Sequence, residues 1–174
     1  MWYSMIPRVN IRLTKNIKES PYLSFEECRE LDKQNKDPLE DMIEMDLKRS
    51  TSFFDIRHYE QVKLLLLNIA LKYKSSIAYY QGMNYLGIFV YEVFKDEQKA
   101  FHFFSYIAER ILIQHFSDKF GGLVRLIWTC DRMIQVNSPK LWEKLRNGGV
   151  SSIHFSIPNL ITLFTSLLKN PVSR

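Results

Sequence analysis

The chain has 174 residues, 46% of them apolar and 14% aromatic, with 24 basic side chains against 19 acidic ones and a net charge of +5. That length suits one domain whose core needs neither disulfides nor a metal, and the composition excludes disorder over most of it. The basic excess is mild and falls short of the concentrated basic face of a nucleic-acid binder, so no nucleic-acid partner is expected.

Only six glycines and six prolines interrupt the chain, which favours long regular elements, helices before strands. Residues Met1–Leu13 carry Pro7, Arg8, Asn10 and Arg12 and lack the apolar run of a signal peptide. In chain order, Ser24-Phe25-Glu26-Glu27 reads as a capping box, the Ser hydroxyl serving the third amide while Glu27 reaches back. Cys28 and Cys130 are too few for a disulfide scaffold and read as ordinary thiols of an intracellular protein. Asp37-Pro38-Leu39-Glu40 predicts a second start, with Asp37 as N-cap and Pro38 in the first helical position. The helix that follows places Leu39, Met42, Ile43 and Leu47 on one stripe.

Tyr59 to about Lys74 is the next predicted helix, with Tyr59, Val62, Leu66, Ile69 and Tyr73 inward and Leu65 and Ala70 widening the stripe. Met83–Phe94 is apolar nearly all round and predicts a central, fully buried helix. Its apolar stretch Tyr85–Phe94 is about half a membrane span and contains Glu92, so no transmembrane segment is expected. Asp96 caps a helix from Glu97 to about His115, with Phe101, Phe104, Ile107, Ala108, Ile111 and Leu112 inward. Gly121-Gly122 predicts a break, and Leu123–Val136 a further helix. Ser138-Pro139 caps one that Asn147-Gly148-Gly149 stops, and Ile157–Leu168 is the last. No segment alternates with period two over a useful length, so the expected class is all-α. One domain over residues 1–174 is the simplest organisation, with a lobe boundary expected near 116–122.

Several chemistries are missing from the sequence. Gly121-Gly122 is not followed by the Gly-Lys-Ser/Thr of a phosphate loop, so the chain is no P-loop NTPase. His58, His102, His115 and His154 have no metal-ligand spacing with each other or with cysteine, so no metal site is expected. No Gly-x-Ser-x-Gly elbow occurs. Glu26-Glu27 and Asp96-Glu97 sit at helix starts, where capping and the helix dipole account for them.

Two short segments carry the functional signal. The first runs from Ile43 through Asp46 to Arg49 at the end of a capped helix. The second is Tyr79-Tyr80-Gln81-Gly82-Met83-Asn84, a turn ahead of the buried helix. Singly each has a bland reading: Asp46 and Arg49 as a surface ion pair worth little, Gln81-Gly82 as a polar turn. Together, Ile43, Asp46 and Arg49 followed by Tyr79, Gln81, Gly82, Met83 and Asn84 resemble the paired motif of TBC domains. These are GTPase-activating domains for Rab-type small GTPases. Leu67–Tyr73 is similar to the family's intervening helix. The resemblance is strongest from Leu39 to Phe104 and fainter over Pro139–Leu145 and Phe155–Leu168.

The resemblance implies a multi-helix TBC-type domain, comprising the N-terminal lobe and part of the C-terminal one. It implies that Arg49 is an arginine finger and Gln81 a glutamine finger, both supplied in trans to the GTPase's own hydrolysis reaction. Asp46 would hold Arg49 or its loop, and Tyr79 and Met83 would pack. The residue types suit the task. Charge spreads over the γ-phosphate oxygens in phosphoryl transfer, and a permanently charged planar guanidinium meets it with parallel donors. An attacking water needs a donor and an acceptor together, which an amide side chain has. The chain would need no cofactor of its own, since GTP and Mg²⁺ would be carried by the GTPase. Its location would be cytoplasmic, at endomembranes only through that partner, with a role in vesicle trafficking.

The chain departs from the family pattern in places. Ser50 stands for the usual Thr, Ala78 for Gly, Tyr80 for a small residue and Asn159 for a Trp. Trp2 resembles the end of an early family helix, and the family continues past the position of Arg174, so the domain is expected to be truncated at both ends and to expose apolar surface. Two alternatives follow. One is a catalytically silent TBC-like module that binds a GTPase or another partner without stimulating hydrolysis. The other is a helical protein that binds an acidic surface through its net charge, with steep salt dependence.

Overall fold

The structure, a computed structural model, describes residues 21–33 and 38–168, with side chains left undescribed at 117–119. Every regular element among them is helical. Eight helices follow one another: α1 Phe25–Asp32, α2 Leu39–Lys48, α3 Tyr59–Tyr73, α4 Met83–Phe94, α5 Glu97–Ile107, α6 Ile113–Asn137, α7 Pro139–Asn147 and α8 Ile153–Ile161. A π-helical turn, Ala108–Leu112, joins α5 to α6.

The local rules hold where the sequence is most explicit. The capping box forms, with the Ser24 hydroxyl accepting from the Glu27 amide at 3.3 Å and the Glu27 carboxylate accepting from the Ser24 amide at 2.7 Å. The Asp96 carboxylate accepts from the Lys99 amide at 2.9 Å and starts α5. Helix α3 is the central strut: Val62, Leu65, Leu66, Ile69, Ala70 and Tyr73 are all buried, and α1, α2, α4 and α5 pack around it. Gly87 on α4 lets that helix close on α3, because a Cβ there would fall 2.6 Å from Leu66 Cδ2. Phe101 and Phe104 from α5, with Ala108 and Leu112 from the π-helical turn, complete the core.

Other expectations need correction. Asp37 lies outside the described residues, and Pro38 is the N-cap of α2 with no side-chain cap bond, not its first helical residue. Met42 is exposed, because only the Ile43, Asp46 and Leu47 side of α2 faces α3. Helix α4 is not fully buried: Phe89 and Val93 reach solvent on the side away from α3. Pro139 does open α7, but the Ser138 hydroxyl makes no cap bond. The last helix begins at Ile153 and stops at Ile161, where the Thr162 hydroxyl bonds back to the Pro158 carbonyl at 2.9 Å. Such a bond competes with helix continuation. Leu163 and Phe164 then take positive φ.

Gly121-Gly122 opens no loop. Helical geometry resumes at once, yet the chain turns sharply at Phe120, whose φ is +63°. The proof of the turn is Gly122. A Cβ on it would sit 2.5 Å from the carbonyl oxygen of Gln114, eight residues earlier. In a straight helix those residues would be about 12 Å apart along the axis. Glycine is thus required by close backbone approach. Beyond this corner the surface is more apolar, with Val124, Trp128, Met133 and Val136 exposed.

Candidate functional site

Arg49 terminates α2. Its Nη2 donates to Asp46 Oδ1 at 2.6 Å and its Nε to the Met45 carbonyl at 3.2 Å. The two side chains differ sharply in environment, Arg49 being 60% exposed and Asp46 only 8%. Three of the five guanidinium donors have no partner among the described residues and face solvent.

Asp46 is the centre of a buried polar cluster. Its other carboxylate oxygen accepts from the Tyr79 hydroxyl at 3.0 Å. Burial first, and then the Asp46 charge, push the Tyr79 phenol far above its ordinary pKa, so it stays a donor at any working pH. The Asp46 backbone carbonyl accepts from the Ser50 hydroxyl at 2.8 Å and from Asn84 Nδ2 at 3.4 Å. Asn84 Nδ2 also donates to Ser50 Oγ at 2.6 Å, while its Oδ1 accepts from the Gly82 amide at 3.2 Å. All four side chains are buried. Fully bonded, they satisfy the requirement that polar groups taken out of water find partners.

The turn preceding α4 completes the site. The Tyr80 carbonyl accepts from the Met83 amide at 3.1 Å, and Gly82 has φ +107°. A tight turn with a left-handed third residue selects glycine at that position. Gln81 stands at the outer corner, exposed, and its amide has no hydrogen-bond partner among the described residues. Met83 points into the core beside Leu86. Ile43 is fully buried on the inner face of α2.

The structure therefore brings the two sequence segments together. Arg49 and Gln81 are exposed, and each is anchored to the same cluster: Arg49 through Asp46, Gln81 through its neighbours Tyr79, Gly82 and Asn84. Sequence reasoning noted Ser50 only as a departure. Its place four residues after Asp46 at a helix end is the signal that its hydroxyl could bond back to the Asp46 carbonyl. Tyr80, bulky where the family has a small residue, turns its ring inward, against Phe116 and Phe120, with centroid distances of 5.2 and 6.2 Å. Asn159 bonds locally, to the Phe155 carbonyl. No group of three or more His, Cys, Asp or Glu arranged to hold a metal occurs among the described residues. No helix among them is long and apolar enough to cross a membrane.

The chain as a whole is similar to known proteins. The model of the Rab-GTPase-TBC domain matches residues 2–173. The chain is 25% identical over 128 residues to Growth hormone-regulated TBC protein 1-A of Danio rerio, covering 69% of this chain and 35% of that protein. It is 26% identical over 134 residues to Cell division control protein 16 of Schizosaccharomyces pombe, covering 75% of this chain and 44% of that one. The chain thus spans less than half the length of these curated relatives. No solved structure gives a significant match.

Proposed function

The chain belongs to the Rab-GTPase-TBC domain family, a GTPase-activating family, and from that premise we propose that it accelerates GTP hydrolysis by a Rab-type small GTPase. Arg49 supplies the arginine finger and Gln81 the glutamine finger. The observation that supports this reading is the pairing of two exposed groups of the required chemistry on one buried cluster.

Charge develops on the γ-phosphate oxygens as the bond to the leaving phosphate breaks. The free donors of Arg49 meet that charge, and Asp46 keeps the guanidinium in place until the GTPase docks. Gln81 accepts from the attacking water through its carbonyl and aligns it by donation from its amide nitrogen. GTP and Mg²⁺ arrive with the GTPase, and any membrane association comes through that partner. The cellular setting proposed is vesicle trafficking in the cytoplasm.

The test is single-turnover GTP hydrolysis by a panel of purified Rab-type GTPases, with the wild-type chain and the Arg49→Ala and Gln81→Ala variants. Arg49→Ala is expected to lower stimulation by ~10³ or more, the scale of arginine fingers in other GTPase systems. Stimulation by Arg49→Ala equal to that of wild type would overturn the assignment. GTP-dependent binding with no acceleration by the wild-type chain would place it among binding modules instead.

A further inference from the structure

The turn that carries Gln81 is held from two sides. On one side Asn84 and Tyr79 tie it to α2. On the other, the second half of the chain closes on it. The Tyr80 hydroxyl donates to the Ile161 carbonyl at 3.1 Å. Ile161 is the last residue of α8, where carbonyls have lost their intrahelical donors. Tyr80 supplies one, across 81 residues of sequence. The Tyr80 ring is wedged against Phe116 and Phe120, the latter being the corner residue of α6. Gly82 is equally close-fitted, since a Cβ there would lie 3.3 Å from both Ile161 Cδ1 and Thr162 Cγ2.

We propose that Tyr80 is a positioning residue, a strut that fixes the Gln81 turn against the C-terminal end of α8, so that the second half of the chain sets how Gln81 is presented. Tyr80 and Gln81 are adjacent, so their Cα atoms are about 3.8 Å apart. A phenol anchored at its hydroxyl and packed between two phenylalanine rings, one tilted at 50° and one edge-on at 84°, leaves that backbone little freedom. The Gln81 side chain is exposed and makes no hydrogen bond among the described residues, so its direction is set by the backbone that Tyr80 holds on this side and Asn84 and Tyr79 hold on the other. The strut costs no reorganisation when a partner arrives, which is the condition for a preorganised group. The kinetic consequence rests on the proposed function of Gln81; the structural one does not.

Tyr80→Phe removes one oxygen and keeps the ring, so the variant retains its packing. Two measurements test it. The first is amide hydrogen exchange. The amides of Gly82 and Met83 should exchange about tenfold faster in Tyr80→Phe, while those of α1 to α3 keep their wild-type rates. Unchanged exchange at the turn, or uniform acceleration through every helix, overturns the proposal. The second uses a GTPase that the wild-type chain stimulates. Tyr80→Phe should lower kcat roughly five- to tenfold, the scale of one lost hydrogen bond, with KM for the GTPase unchanged. That loss should vanish in a Gln81→Ala background and persist in an Arg49→Ala background. Persistence in Gln81→Ala overturns the proposal, because the effect would not pass through Gln81. Local exchange at the turn together with no stimulation of any GTPase supports the strut and refutes the proposed function.

Discussion

Replacing Asn84 with Ala removes a side chain bonded both to the end of α2 and to the Gln81 turn. Asn84 is 2% exposed, so water does not already compete for its bonds. The change orphans the buried Gly82 amide, whose partner is Asn84 Oδ1. A buried donor left without a partner costs about 1–3 kcal/mol. The 2.6 Å bond to Ser50 Oγ is lost as well, at a net ~1 kcal/mol. The longer contact to the Asp46 carbonyl adds little, since Ser50 still donates to that oxygen. The expected loss is therefore about 3 kcal/mol. In urea, with a slope near 2 kcal/mol/M, the unfolding midpoint should fall by roughly 1.5 M. Circular dichroism at the helical band reads it directly. Asn84→Asp is the companion. It keeps the size and the acceptor for Gly82 but turns a carboxylate toward the Asp46 carbonyl, so it should not rescue stability at neutral pH. A midpoint within roughly 0.3 M of wild type for Asn84→Ala would refute the reasoning, since the cluster would then carry no net stabilisation.

Two further outcomes follow. Gly122→Ala forces a Cβ to within 2.5 Å of the Gln114 carbonyl oxygen and the His115 Cα, both backbone atoms that cannot step aside cheaply. A loss of about 1–3 kcal/mol in urea unfolding is expected, and a neutral Gly122→Ala would mean that the corner at Phe120 is not built as described. Glu40 titrates abnormally low, at about 2 against an ordinary 4.5, because Arg29 bonds its carboxylate and Lys63 adds to it. Its folded pKa is depressed, so its contribution is present above the ordinary value and is lost as pH falls from 4.5 toward 2. Stability measured over that window should fall less steeply in Glu40→Gln than in wild type; identical slopes would remove Glu40 from the account.

The sequence was most legible where a local signal sufficed. The ends of α3 and α4 fell where the stripe at Tyr59–Tyr73 and the Gly82 turn put them. The all-α class followed from the same periodicity. What the sequence concealed was set by distant contacts. Asp46 and Arg49 have the spacing of an ordinary surface pair, and the approach of Tyr79 and Asn84 to the end of α2 buries the acid while leaving the base outside. Near the Phe120 corner the Gly121-Gly122 pair predicts only a break in the helix. In fact Gly122 answers to the Gln114 backbone brought beside it by the turn. Lys63 sits on the buried stripe of α3, paired with Glu40 at 2.8 Å, where a reading by residue type would have put it in solvent. The outer side of α4, at Phe89 and Val93, looked like core because composition alone does not say on which side neighbours stand.

The polar character of the cluster has a physical reason that extends to the site. Helices α2 and α4 both pack on α3, and apolar contact with a common neighbour is non-directional. It leaves small rotations and slides of one helix against the other nearly equal in energy. Hydrogen bonds do not, because they weaken steeply with distance and angle. The bonds from Asn84 to Ser50 and from Tyr79 to Asp46 therefore fix the register of α4's start on α2's end. An apolar set of the same volume would give comparable burial without that register. Under the proposed function the distinction decides catalysis, because a finger misplaced by about 1 Å can cost ~10²-fold in rate. Arg49 and Gln81 can then be exposed and ready for a partner, while the groups that aim them stay dry.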